Sequence, residues 1–141
     1  MTRSLFIFLA LSLCSFSQNE AGPKKHPIDV AMDQAIEKNP STAGMVEAFG
    51  VASKAWDREL NKNYQTLMAR LDPEAKQALR ESQRAWVAHR DKEINYLVKF
   101  YSKMQGTMYR TIYAESTMSI VKRRAVKLGY MVEMLDLRKN E

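Results

Sequence analysis

Carboxylate, amide and guanidinium side chains gather around both tryptophans of this chain, in the stretches AWDRELNKNY (55–64) and QRAWVAHRD (83–91). Two carboxylates held close together, such as Asp57 and Asp91, are groups that acid–base catalysis can use. Catalysis also needs a pocket and an activated nucleophile, and the sequence shows no nucleophile beside a base. We therefore predict that these residues form a structural polar seam and that the chain is not an enzyme.

The histidines indicate no metal site. His26 and His89 are the two histidines of the chain and are widely separated in sequence, whereas a zinc site needs several converging ligands. Cys14 is the one cysteine, and no glycine-rich phosphate loop is present. The sequence thus predicts no catalytic, cofactor-binding or metal-binding residue.

The N-terminus has the layout of a secretory signal peptide. Arg3 makes it positive, residues 5–13 are almost wholly apolar, and Ser15 and Ser17 are small residues suited to a cleavage site after Ser17. The apolar run is too short to span a bilayer. We expect a periplasmic or secreted protein, in which residues 1–17 are removed.

Cys14 offers a less favoured alternative, a lipoprotein anchored through this residue. Leu13 stands where a small residue is usual before a lipidated cysteine. Cleavage after Ser17 would instead remove the cysteine, so that the exported chain would depend on packing and not on disulfides. Residues 18–27 contain Gly, Pro and Lys and are predicted to form a flexible tail.

The exported part is basic. Without Arg3 it keeps 21 basic and 16 acidic side chains, a formal charge of +5. A positive surface favours anionic partners such as wall polymers or lipid headgroups. A solvated helix face is the simpler interpretation, and no basic groove with interleaved aromatic residues predicts nucleic-acid binding. The candidate residues for an anionic partner are Lys122, Arg123, Arg124 and Lys127.

Apolar residues at steps of three and four predict an all-α fold, an elongated antiparallel bundle of three long helices with a short N-terminal helix. We expect the short helix over residues 28–38 and a long one from a Ser41 cap to about Leu71. The third helix follows an Asp72 cap and ends near 102–106, and the fourth reaches about Leu137. Together they would form one domain over residues 28–138.

The short link at Asp72-Pro73 predicts a helical hairpin, in which residues equally distant from the turn face each other. Asn61 then lies opposite Gln83, and Asp57 lies within a turn of Arg90. We predict that these two pairs bond across the hairpin and fix its register, as polar residues do in coiled coils. The seam would be flanked by Trp56 and Trp86. Tyr109 and Tyr113 remain candidates for surface contacts.

The same two stretches, with STAGM (41–45) before them and RAVKL (124–128) after them, resemble the family named for the lysozyme inhibitor LprI. The family's W/D-x-E-L-N-x-x-Y and Q-x-x-W-x-x-x-R-D patterns are found here in the same order. The matching residues are Trp56, Asp57, Glu59, Leu60, Asn61, Tyr64, Gln83, Trp86, Arg90 and Asp91.

This resemblance implies a small exported helical domain over roughly residues 28–135, whose partner is lysozyme or another envelope protein. Family members usually carry cysteines that look like disulfide partners. Here those places hold Ala48 or a neighbour and Ile94, which fits replacement of whole bridges by apolar packing. The alternative to an inhibitor is an envelope-associated adaptor whose basic C-terminal helix contacts anionic wall or membrane material.

Overall fold

Four helices follow one another in the computed structural model, which describes residues 24–138. They confirm the predicted all-α bundle of three long helices and a short one. The predicted signal peptide and Cys14 lie outside the described residues. No helix in the described part is both long and apolar enough to cross a membrane. The helices are α1 (Pro27–Lys38), α2 (Thr42–Arg70), α3 (Pro73–Tyr101) and α4 (Met108–Leu137).

Local sequence signals fix where the helices begin. The Ser41 hydroxyl accepts a hydrogen bond from the Gly44 backbone N–H at 3.1 Å, and the Asp72 carboxylate accepts one from Ala75 at 2.9 Å. Both residues are therefore N-caps, as predicted, and they satisfy backbone donors that have no partner within the helix. Pro73 occupies the first turn of α3, where its missing N–H costs nothing.

The hydrophobic core lies mainly between α2 and α4, which run parallel to each other. Their direction follows from two cross-links: Asn63 bonds to Ala125, and further along both helices Arg70 Nη2 lies 2.7 Å from Asp136 Oδ1. Most core side chains come from these two helices, including Phe49, Ala52, Trp56, Leu60, Leu67, Met118, Val121, Ala125 and Leu128.

The two core helices approach closely at Gly129. A Cβ atom placed on this glycine would lie only 3.1 Å from Nδ2 of Asn63, tighter than an ordinary contact. The same amide donates a hydrogen bond to the Ala125 backbone carbonyl at 3.2 Å. Since the amide of Asn63 is buried, this bond offsets the cost of removing it from water. The absence of a side chain at Gly129 thus permits the close approach of α2 and α4 at this level.

The third helix lies shallower than the other two long helices. Along α3, which the structure describes in full, no side chain is completely buried. The predicted inward stripe is nevertheless the half-buried face of the helix. Its residues are Leu79, Gln83, Trp86, Arg90, Ile94, Leu97 and Tyr101. The sequence therefore identifies the correct face of α3. In the bundle, α3 carries the chain back from the end of α2 to the start of α4, which allows α2 and α4 to run parallel.

We expect Leu60→Ala to lower the free energy of unfolding by about 2–5 kcal/mol, because this side chain is 2% exposed in the α2–α4 core. Leu97→Ala, the same change on the half-buried face of α3, should cost less than half as much. Urea denaturation of both variants measures the difference. Equal losses of unfolding free energy in the two variants would show that α3 contributes to the core as much as α2 does.

Candidate functional site

The residues of the predicted polar seam do not bond in the predicted pairs. Asn61 donates to Asp57, to the backbone carbonyl at 2.9 Å and to the carboxylate at 3.2 Å, within its own helix. Arg90 donates from Nε and Nη2 to the neighbouring Asp91 at 2.9 and 2.8 Å. The predictions of an Asn61–Gln83 bond and an Asp57–Arg90 pair are therefore wrong. The physical reason is that α2 and α3 make little contact, so these side chains find partners nearby.

Gln83 finds its partner on α4. Its side-chain oxygen accepts a hydrogen bond from Arg124 Nε at 3.0 Å, and Arg124 Nη2 donates to the Ser82 hydroxyl at 3.1 Å. Burial lowers the pKa of the Arg124 guanidinium. The polar cross-link that holds α3 to the bundle thus comes from Arg124, a residue that the sequence assigned to an anionic-partner patch.

The polar residues of the two sequence stretches line an open furrow between α2 and α3. Asn61, Tyr64 and Gln83 line one cleft of about 460 Å³. Asp57, Arg90 and Asp91 line a second cleft of about 480 Å³ further along the same two helices. We call these two clefts together the motif furrow. Residues from both helices stand at matching levels, but they face solvent across a gap instead of bonding.

The two tryptophans face different neighbours. Trp56 is 1% exposed, and its indole packs into the core against α1 and α4. Trp86 is half-buried on α3, where the guanidinium carbons of Arg90 and Arg124 lie 5.3 and 5.8 Å from its ring centroid. Both distances are within the range of cation–π attraction. Trp56 and Trp86 therefore do not flank a common seam: Trp56 anchors the core, and Trp86 packs against the edge of that core beside two guanidinium groups.

A buried polar cluster around Trp56 ties the short helix α1 to the bundle. The rings of His26 and Trp56 stack with their centroids 4.4 Å apart, and Lys122 Nζ lies 5.5 Å from the Trp56 centroid. Lys122 also donates to the Asp29 carboxylate at 2.7 Å. Asp29 is only 6% exposed and lies in the first turn of α1, where the helix dipole favours a negative charge.

The predicted basic patch is divided by these contacts. Lys122 and Arg124 are turned towards Asp29 and Gln83. Arg123 and Lys127 are exposed and lie one helical turn apart on α4. The patch remains a prediction, but only two of its four residues are free of internal polar contacts within the described part of the chain.

Sequence reasoning missed three polar residues that organise the bundle: His26, Asp29 and Asn63. His26 was assigned to the flexible tail, yet its Nδ1 accepts the Ile28 backbone N–H at 3.2 Å and so caps α1. Asn63 lies three residues after Leu60 and four before Leu67, which is the spacing of the apolar face. That spacing could have revealed its burial. For Asp29 the sequence carries no comparable signal.

The charged groups that the structure describes do not converge as a metal site would. Within residues 24–138, no group of three or more histidine, aspartate or glutamate side chains converges as metal ligands would. The motif furrow is instead a surface of hydrogen-bonding and charged groups beside the aromatic ring of Tyr64. Such an arrangement is suited to recognising another molecule.

We expect Lys122→Met to lower the free energy of unfolding by about 1–3 kcal/mol, because it leaves the buried Asp29 carboxylate without its cation. Asp29 Oδ1 already has no hydrogen-bond partner among residues 24–138, which limits compensation. Arg123→Met is the matched control and should change stability by less than about 0.5 kcal/mol because Arg123 is exposed. Urea denaturation measures both, and equal small effects would contradict an internal role for Lys122.

The fold is similar to that of a known structure. The crystal structure of an uncharacterized protein from Burkholderia thailandensis is 32% identical in sequence and superposes with a TM-score of 0.75. The match covers 79% of this chain and 56% of that one, so this chain spans little more than half the length of that relative. No curated protein matches the chain.

The family model described as "Lysozyme inhibitor LprI" matches residues 33–128. This range includes the second half of α1, both helices that line the motif furrow, and α4 as far as Leu128, the last buried residue of the core. The family suggested by the two sequence stretches is thereby confirmed, and the chain belongs to the LprI lysozyme inhibitor family.

Proposed function

We propose that this protein is an exported, non-catalytic binding module that inhibits a lysozyme by docking the motif furrow against it. The observation that carries the proposal is the exposure of the family's polar residues. Asp57 and Asn61 are exposed on α2, and the side chain of Asp91 is 61% exposed on α3. Residues that served only to hold the hairpin together would be paired across it.

The energetics of the furrow support a role in recognition. The Arg90–Asp91 pair is formed by adjacent residues at the surface, and such pairs contribute little to folding stability. Arginine and tyrosine, which line the furrow as Arg90 and Tyr64, are among the residues that most often dominate binding energy at protein interfaces. The furrow therefore offers a partner both an aromatic surface and charged groups whose loss would not unfold the protein.

The charges of the furrow suit a partner with groups of both signs. Both signs are present, with cations in excess. Asp57 and Asp91 provide carboxylates beside Lys54, Arg58 and Arg90 in one cleft, and Arg80 and Arg84 line the other. A mixed pattern of this kind gives orientation and specificity more than long-range attraction. A surface that covers the active-site cleft of a lysozyme needs such orientation, because inhibition by occlusion depends on where the two proteins touch.

The alternative role, an envelope adaptor that contacts anionic wall or membrane material through α4, has less support. It requires a continuous basic surface, whereas Lys122 and Arg124 bond to Asp29 and Gln83 inside the bundle. Export rests on the layout of residues 1–17 and on the family, and it is part of the proposal.

We expect the exported chain to inhibit lysozyme digestion of peptidoglycan, and Arg90→Ala to raise the inhibition constant about ten-fold or more. The melting temperature of this variant should fall by no more than about 5 °C, because the lost ion pair is worth little and the contact of Arg90 with the Trp86 ring adds about 1 kcal/mol. A titration of lysozyme activity, with a thermal melt of each protein, provides both numbers. Incubation of the chain alone with peptidoglycan tests the absence of catalysis.

Arg123→Ala is the matched control, since it removes a guanidinium from the exposed face of α4 and leaves the furrow intact. It should inhibit as the wild type does. Loss of inhibition in Arg123→Ala but not in Arg90→Ala would move the binding surface to α4. Absence of both binding and inhibition at micromolar concentrations would refute the proposal.

A further inference from the structure

An open cleft of about 650 Å³ lies at the end of the bundle where α3 turns into α4. We call it the tip cleft. It is formed by the N-terminal part of α2, the C-terminal end of α3 and the first turns of α4, and most of its wall is apolar. The side chains that characterise this wall are Phe49, Val98, Tyr101, Tyr109 and Tyr113. Its volume is in the range of sites that bind small molecules.

The aromatic wall is built by residues of α3 and α4 that pack on each other. The Tyr101 ring centroid lies 6.4 Å from those of both Tyr109 and Tyr113. These rings line a cavity that opens to solvent, so their apolar faces are available to a ligand. The tyrosine hydroxyls add hydrogen-bond donors to a surface that is otherwise suited to an apolar body.

The charges of the tip cleft are all of one sign. Lys54 and Arg110 line it and are exposed, and no acidic residue is among the described residues that line it. Neither cation forms an ion pair with a carboxylate of residues 24–138. Charge complementarity therefore calls for a ligand with one negative group.

Gly50 leaves space in the cleft. It lies on α2 among the lining residues, and a Cβ atom placed on it would meet nothing within 4 Å. A glycine inside a helix costs about 1 kcal/mol relative to alanine. The structure gains no close helix contact from this glycine, and its effect is to preserve space.

We propose that the tip cleft binds a single-chain anionic amphiphile, a linear alkyl chain ending in a carboxylate. The alkyl chain lies against the tyrosine and phenylalanine wall, and the carboxylate accepts hydrogen bonds from Lys54 and Arg110. The cleft is open along one side, so a flexible alkyl chain can fill it in several conformations. This site is distinct from the motif furrow and does not depend on lysozyme binding, although the two adjoin at Ser53 and Lys54, which line both.

Calorimetric titration with dodecanoate below its micelle concentration tests the proposal. We expect saturable one-to-one binding by the wild-type chain and at least ten-fold weaker binding by Gly50→Leu, which fills the cleft. Arg110→Gln should weaken binding about ten-fold, because it removes one charged hydrogen bond to the carboxylate. Dodecyltrimethylammonium, which has the same chain length and the opposite charge, should not bind.

The melting temperature of Gly50→Leu should equal or exceed that of the wild type, since leucine is the better helix former and has room. A melting temperature at or above that of the wild type shows that Gly50→Leu is folded. Its loss of dodecanoate binding is then caused by the filled cleft and not by unfolding. The proposal is overturned if dodecanoate gives no saturable binding, if Gly50→Leu and Arg110→Gln both bind it as the wild type does, or if the cationic amphiphile binds equally well.

Discussion

Asn63 donates a hydrogen bond from its side-chain amide to the backbone carbonyl of Ala125 where α2 and α4 approach closely, and Gly129 leaves room for that contact. This buried bond fixes the level at which two parallel helices meet, and apolar packing fills the interface on either side of it. Parallel neighbours cannot be joined by a short turn, so the chain must return along the whole bundle between them. That requirement explains why α3 is as long as α2 yet contributes no fully buried side chain.

The shallow position of α3 links the fold to the proposed function. A hairpin tightly packed through its polar residues would hide them, and they would then stabilise the fold alone. Here the core is formed elsewhere, and Asp57, Asn61 and Asp91 remain open to solvent along the motif furrow. Arg124 holds α3 in place from α4 through Gln83, so the furrow keeps its shape without bonds across it. The family's polar residues can therefore exchange their contacts with neighbouring side chains for contacts with another protein. This exchange costs little folding stability.

Apolar periodicity and capping signals were sufficient to predict the four helices, their limits and the inward face of α3. They did not predict how deeply each helix lies, because a stripe of the same spacing fits a fully buried or a half-buried face. The hairpin at Asp72 suggested that α2 would pack most closely on α3, the next helix in sequence, whereas its main partner is α4. Asp29 and Lys122 were separated by 93 positions, and only the fold brings them to 2.7 Å. The tip cleft likewise combines residues from three helices that no local pattern connects.

In this fold α2 and α4 form the stable core, and α3 is held against it more weakly. Native-state hydrogen–deuterium exchange at backbone amides measures this directly, since each helix reports its own free energy of opening. We expect the slowest exchange in the buried segments of α2 and α4, around Leu60 and Ala125, with the two helices opening together. The amides of α3 should exchange through openings of lower free energy. Slow exchange shared by α2 and α3, with α4 exchanging faster, would contradict the account.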